Sequence, residues 1–186
     1  MAISKGKTNS YTERAGSKAL RYNEGKTPLE LIPLSVIAST NYISNPVAEP
    51  VPGSYPKWLL IQMLRRLGRF QVRQTLGTEE LLGILEDLGP DIWKDCAAVF
   101  DYGRKKYSEW NWAKGLSWQS VIGCAARHLV FGMLAGEELD KESKLPHRGH
   151  LACNIVMLIT FDTTYREGDD RPAKELFGIK SDETSV

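Results

Sequence analysis

The chain has 186 residues, 42% hydrophobic and 25% charged, with 24 Lys and Arg against 23 Asp and Glu. That length and balance suit one globular domain with its own core and exclude a chain too polar to fold. The net charge of +1 excludes a globally basic nucleic-acid binder and leaves only local patches to consider. Cys96, Cys124 and Cys153 are too few and too widely spaced for a disulfide framework. Each falls in an apolar helical pattern, so buried free thiols in a reducing compartment are expected. No stretch approaches the roughly 20 apolar residues of a membrane span, and the polar N-terminus lacks a signal peptide's apolar core, so a cytoplasmic location is expected.

Residues 1–18, rich in Ser, Thr, Lys and Gly, predict a flexible tail. "RYNEGKTPLELIPLSVIAS" follows as a glycine turn and a short apolar arm interrupted by Pro33. Pro46, Pro50, Pro52 and Pro56 mark a linker. In "KWLLIQMLRRLGRFQVRQTLG", Lys57, Arg65, Arg66, Arg69 and Arg73 lie beside Leu59, Leu60, Met63, Leu64, Leu67 and Phe70, which is the pattern of an amphipathic helix. Thr78, followed by Glu79 and Glu80, predicts the N-terminus of the next helix. Pro90 starts another, with Ile92, Cys96, Val99 and Phe100 on one face and Gly103 near its end. After the "RKKYSEWNWAKG" loop, Ser117 caps a helix carrying Trp118, Val121, Ile122, Ala125, Leu129 and Met133 at helical spacing. Pro146 opens the final long helix, "HRGHLACNIVMLITF", apolar nearly all round and therefore central to the core. Residues 166–186 read as a polar tail. With no alternating strand series, the expectation is an all-α domain over 19–165.

The chemistry concentrates in "GEELDKESKLPHRGHLACN", residues 136–154. If Glu137 and Asp140 sit on the last turn of the helix from Ser117, their i, i+3 spacing places both on one face. Two carboxylates at the negative end of a helix dipole destabilise it, and a bound divalent cation relieves both penalties. Hard oxygen donors of this kind suit Mg²⁺ or Mn²⁺. The next helix brings His147, His150 and Asn154 alongside. The plainer alternative is a solvated acidic turn capped by the two histidines. A His-x-x-His-x-x-Cys zinc site through Cys153 fits less well, because the acids favour oxygen chemistry.

Two further clusters offer cations beside polar or aromatic groups: Arg21, Asn23 and Lys26, then Arg104, Lys105, Lys106, Tyr107, Trp110, Asn111 and Trp112. Charge for phosphates, a ring face for a base and an amide for its edge suit a nucleotide. Exposed loop lysines are also commonly just solvated. Arg127 and His128 precede the acids, and His128 reads equally as a core histidine or a site residue.

Together, R-x-N-x-G-K (Arg21, Asn23, Lys26), K-Y-x-x-x-N-W (Lys106, Tyr107, Asn111, Trp112), R-H-L (Arg127, His128), and G-E-x-x-D-x-E followed by H-x-x-H-x-x-x-N resemble one family. It is the phage and bacterial dATP/dGTP diphosphohydrolases, a MazG-like group of all-α nucleotide pyrophosphohydrolases. The likeness covers about 19–38 and 96–162, so that 40–92 reads as an extra helical insertion in a MazG-like bundle. Ser108 and Lys144 stand where glycine is common. The E-x-x-E and E-x-x-D pairs of MazG are not literally present: Glu137 and Asp140 stand for the first pair, while His150 and Asn154 occupy the place of the second.

The resemblance implies hydrolysis of a purine deoxynucleoside triphosphate, dGTP first and dATP second, to monophosphate and pyrophosphate. The product dGMP would feed 2-aminoadenine DNA synthesis in a phage, with the enzyme in the host cytoplasm. On this reading Glu137 and Asp140, with Glu138 or Glu142, hold Mg²⁺ or Mn²⁺, and a carboxylate or His150 takes the proton of the attacking water. Lys26, Lys106 and Arg127 neutralise phosphates. Arg21, Asn23, Tyr107, Asn111, Trp112, His128, His147 and Asn154 complete substrate binding. A homo-oligomer, dimer or tetramer, is implied; a membrane or nucleic-acid partner is not. The rivals are a dNTP triphosphohydrolase, which the lack of a His-Asp dipeptide counts against, and a nucleic-acid-binding module using the basic 57–75 helix.

Overall fold

The structure is a computed structural model that describes residues 55–73 and 77–180. The expectations for the N-terminal tail, the 19–38 arm with Arg21, Asn23 and Lys26, and the last residues of the chain lie outside this region. Five α-helices occur among the described residues: α1 (Lys57–Gln71), α2 (Glu79–Leu88), α3 (Ile92–Lys106), α4 (Trp118–Arg127) and α5 (His147–Thr164). A 3₁₀ turn spans Asn111–Lys114, and a π-helical segment, His128–Met133, extends α4. No strand occurs among these residues, and the one isolated β-bridge there joins Leu139 to Pro146. The fold is all-α.

Helix α5 is the centre of the packing: α2, α3, α4 and the π segment all rest against it. Its apolar composition explains this, since Leu151, Ile155, Leu158 and Phe161 are buried on one face and Ala152, Cys153 and Met157 are buried beyond it. Helices of this size gain their stability from burying such faces rather than from propensity. Helix α1 lies against α2 and α4. Leu60, Met63, Leu64, Leu67 and Phe70 of α1, with Leu81 and Ile84 of α2, join the same core as Trp118, Leu151 and Phe161. The described helices of the 40–92 segment are therefore part of one core with the rest of the chain.

The basic stripe of α1 faces acids. Arg69 makes a bidentate pair with Glu80 at 2.5 and 2.7 Å, and Arg66 reaches Asp87 at 3.4 Å and Glu80 at 3.7 Å. Arg73 meets Asp169 at 3.3 Å. Ser117 caps α4 as expected, its Oγ accepting from the Ser120 N–H at 3.2 Å. Thr78 precedes α2 but makes no side-chain cap bond.

The segment after residue 165, expected as a polar tail, is in its first part bolted to the core. Arg171 lays its guanidinium 4.1 Å over the Phe70 ring and 4.7 Å over Trp118. It also donates to the Phe70 carbonyl at 2.9 Å and to Asp169 at 2.8 Å. Asp170 accepts from Ser117 Oγ at 2.5 Å and from the Gln119 N–H at 2.8 Å. A delocalised cation stacked on buried rings and bonded at its edge is a cross-link that sequence polarity alone hides.

Candidate active site

The helix from Ser117 does not carry Glu137 and Asp140, which corrects the expectation of paired carboxylates on its last turn. Regular α-helix ends at Arg127, and the next residues widen into the π turn. The Glu137 N–H bonds back to the Gly132 carbonyl at 3.0 Å, and Gly136 takes a positive φ of 79°, a left-handed conformation that stops the helix. Beyond it the chain runs as a loop closed by Asp140 N–H to Leu145 O and Lys144 N–H to Asp140 O, both 2.9 Å. Lys144 pays for this closure with a φ of 61°, which explains why glycine suits the position.

The loop and the widened turn bring together groups far apart in sequence. His128, Asp140 and His147 each offer one donor atom, and these atoms lie within 4.8 Å of one another. The Nδ1 atoms of His128 and His147 are 2.9 Å apart. His128 also stacks on His150, with ring centres 4.4 Å apart and planes 12° from parallel. The π turn makes the approach possible, because an extra residue per turn re-aims His128 toward the loop; such turns recur at functional sites. Gly132 makes it possible too: a Cβ there would run into the His147 ring.

Asp140 is half-buried, and its Oδ1 accepts from the Ser143 N–H at 2.8 Å, the Ser143 hydroxyl at 2.9 Å and the Glu142 N–H at 3.2 Å. Burial raises the pKa of this carboxyl, but the Ser143 bonds and the nearby imidazoles outweigh it and hold the group below its usual range. His150 Nε2 lies 2.7 Å from Ser143 Oγ and 4.0 Å from Asp140. His147 is buried, and its Nε2 has no hydrogen-bond partner; the nearest carboxylate, Glu137, stands 3.8 Å away.

This donor set fits a divalent cation. Two ligands about 2.1 Å from one ion and at right angles sit about 3 Å apart, as the two imidazole nitrogens do. An orphaned buried nitrogen facing a carboxylate is the outer arrangement common around metal-bound histidines. The acids assigned to the metal from sequence divide differently. Asp140 is in the cluster. Glu137 is bound by Lys141 at 2.9 Å, whose ammonium holds it below the usual carboxylate range. Glu138 is exposed, and its carbonyl, not its carboxylate, takes part by accepting the His147 N–H at 3.0 Å. Glu142 is exposed and turned to Lys106 and to Tyr102, which donates to it at 3.2 Å.

The cluster borders a cavity of about 430 Å³. Lys106, Tyr107, Asn111, Trp112 and Asn154 line it, together with His128, Asp140, Glu142 and His150. Phe100, Trp110 and Met157 also line it; of these Phe100 reads from sequence only as a helix-face residue, and nothing in the sequence singles out Met157. Trp112 packs between Phe100 at 5.4 Å and Trp110 at 6.1 Å. Burial lowers the pKa of Lys106, but its pairing with Glu142 wins and raises it, so the ammonium keeps its charge. Asn154 is buried and donates to the His150 carbonyl at 2.7 Å. Arg127 is not in the lining; its guanidinium donates to Cys124 Sγ at 2.7 Å. Ser143 was missed altogether, although an Asp followed three residues later by Ser is a signature of a side-chain-closed turn.

The three cysteines are free and buried, and burial pushes the Cys96 thiol up to about 11. No helix among the described residues is long and apolar enough to cross a membrane. Residues 82–171 match a family model described as dATP/dGTP diphosphohydrolase, N-terminal. The match begins within the 40–92 segment and takes in the π turn, the loop and the whole of α5. No curated protein and no solved structure matches the chain. Over the matched span, which is a little under half of the chain, it is similar to the dATP/dGTP diphosphohydrolases, a family of nucleoside triphosphate hydrolases.

Proposed function

We propose that the protein hydrolyses a purine deoxynucleoside triphosphate, dGTP before dATP, to the monophosphate and pyrophosphate. A divalent cation would be held by His128, Asp140 and His147. The observation that carries this reading is the donor cluster within 4.8 Å opening on a cavity lined by rings and a lysine. About 430 Å³ falls within the range of small-molecule sites.

Bound in the cluster, the cation supplies charge neutralisation for phosphate oxygens and a more acidic water. Two imidazoles and one carboxylate favour Mn²⁺ over Mg²⁺ among the two ions expected from sequence. Lys106 exchanges Glu142 for an outer phosphate. His150, joined to Asp140 through Ser143, is placed to accept the proton of the attacking water. Trp112, Tyr107 and Trp110 offer faces to the purine, and Asn111 and Asn154 offer amides to its edge or to the sugar. In a phage that replaces adenine with 2-aminoadenine, the dGMP formed is a precursor of the modified base. The homo-oligomer expectation stands as part of this reading, supported by exposed Trp93 and Phe131.

A second reading gains from one observation. The absence of a His-Asp dipeptide argued against a triphosphohydrolase, yet two histidines and an aspartate meet in space from separate positions. Incubation with each dNTP and Mn²⁺ or Mg²⁺, followed by ion-exchange separation, distinguishes the two. Pyrophosphate with dGMP is expected; inorganic triphosphate with deoxyguanosine would replace the first reading by the second.

A further inference from the structure

The geometry assigns Ser143 the role of positioning residue for the Asp140 carboxylate, a role that rests on the metal reading proposed above. A serine hydroxyl has one proton to give and two lone pairs to receive. Asp140 Oδ1, at 2.9 Å, is an acceptor only, so the Ser143 proton goes there. The lone pairs then accept from the Leu145 N–H at 3.2 Å and from His150 Nε2 at 2.7 Å. That assignment makes Nε2 the protonated nitrogen of His150.

Every hydrogen bond the Asp140 carboxylate accepts among the described residues falls on Oδ1. Three donors on one oxygen fix the plane of the carboxylate, and Oδ2 carries none of these bonds. The Ser143 oxygen does more than close a turn. It connects the loop that carries Asp140 to His150 on α5, and His150 stacks on His128 at 4.4 Å. Through one atom, the loop, the helix and the π turn are held in register. Groups of this kind around metal ligands are worth roughly 10- to 100-fold in metal affinity.

A purely structural serine predicts something different, because the backbone bonds of the turn survive removal of the hydroxyl. The experiment is calorimetric titration of the metal-free full chain with Mn²⁺ for wild type, Ser143→Ala and Ser143→Thr, with thermal melting of the metal-free forms. Ser143→Ala is expected to raise the Mn²⁺ Kd roughly 10-fold or more, while the metal-free Tm falls by only a few degrees. Ser143→Thr, which keeps the hydroxyl, is expected to restore affinity. If the alanine variant does not fold, Ser143→Cys, nearly isosteric but a weak hydrogen-bond partner, carries the same comparison. Equal Kd values for wild type and the hydroxyl-free variant would overturn the role of Ser143 while the metal reading stands. A wild type without Mn²⁺ uptake, or uptake undiminished by Asp140→Asn and His128→Ala, would overturn the metal reading and this role with it.

Discussion

The two walls of the cavity are built on opposite plans. One wall, made by the π turn, the 136–146 loop and the start of α5, is closely bonded: Asp140 accepts three hydrogen bonds, His147 is buried, and Gly132 leaves no slack beside it. The other, made by the end of α3 and the 3₁₀ turn, is loosely held, with Trp110 67% exposed and Lys106 reaching outward to a loop carboxylate. Chemistry at phosphorus needs donors fixed to a fraction of an ångström, since misplacement is costly in rate. Recognition of a base needs area and ring faces, which tolerate adjustment. Under the proposed function, rate is determined at the first wall and affinity at the second.

Four substitutions break or sharpen that contrast. Asp140→Asn removes a charged donor from the bonded wall and is expected to lower kcat/KM for dGTP by roughly 10³-fold, measured by pyrophosphate release. Retention of full activity would remove Asp140 from the chemistry. Gly132→Ala forces a methyl into the His147 ring and is expected to cost about 1–3 kcal/mol of stability in urea unfolding, with activity lost alongside. Trp112→Ala acts on the loose wall and is expected to raise KM about 10-fold while kcat holds near its normal value; a loss confined to kcat would contradict the division of labour. Lys144→Gly relieves a left-handed backbone within the bonded wall and is expected to raise stability by up to about 1 kcal/mol with kinetics unchanged.

The patterns that could be read in one dimension read well. The stripe of Leu60, Met63, Leu64, Leu67 and Phe70 marks α1, and the apolar run of α5 marks the centre of the core. The break after Arg127 is not visible in one dimension, because Leu129 and Met133 keep helical spacing in the sequence and nothing in that spacing announces the wider turn. Glu137 and Asp140 kept helical spacing on paper, yet Gly136 turns the chain before it reaches them. The sequence placed His147 and His150 near the acids but left the role of His128 open, since it reaches His147 only after the chain reverses through the loop. Residue types were legible there; their convergence was a tertiary property. Arg171 illustrates the same limit, for nothing in its neighbours announces two aromatic rings some fifty and a hundred residues away.

That guanidinium has a practical consequence for anyone trimming the molecule. A fragment cut after α5 would uncover the indole of Trp118 and the ring of Phe70 at once, and would leave the Phe70 carbonyl short of a donor. A shortened chain keeps this cross-link only if it runs through position 171, the residue at which the family match also stops.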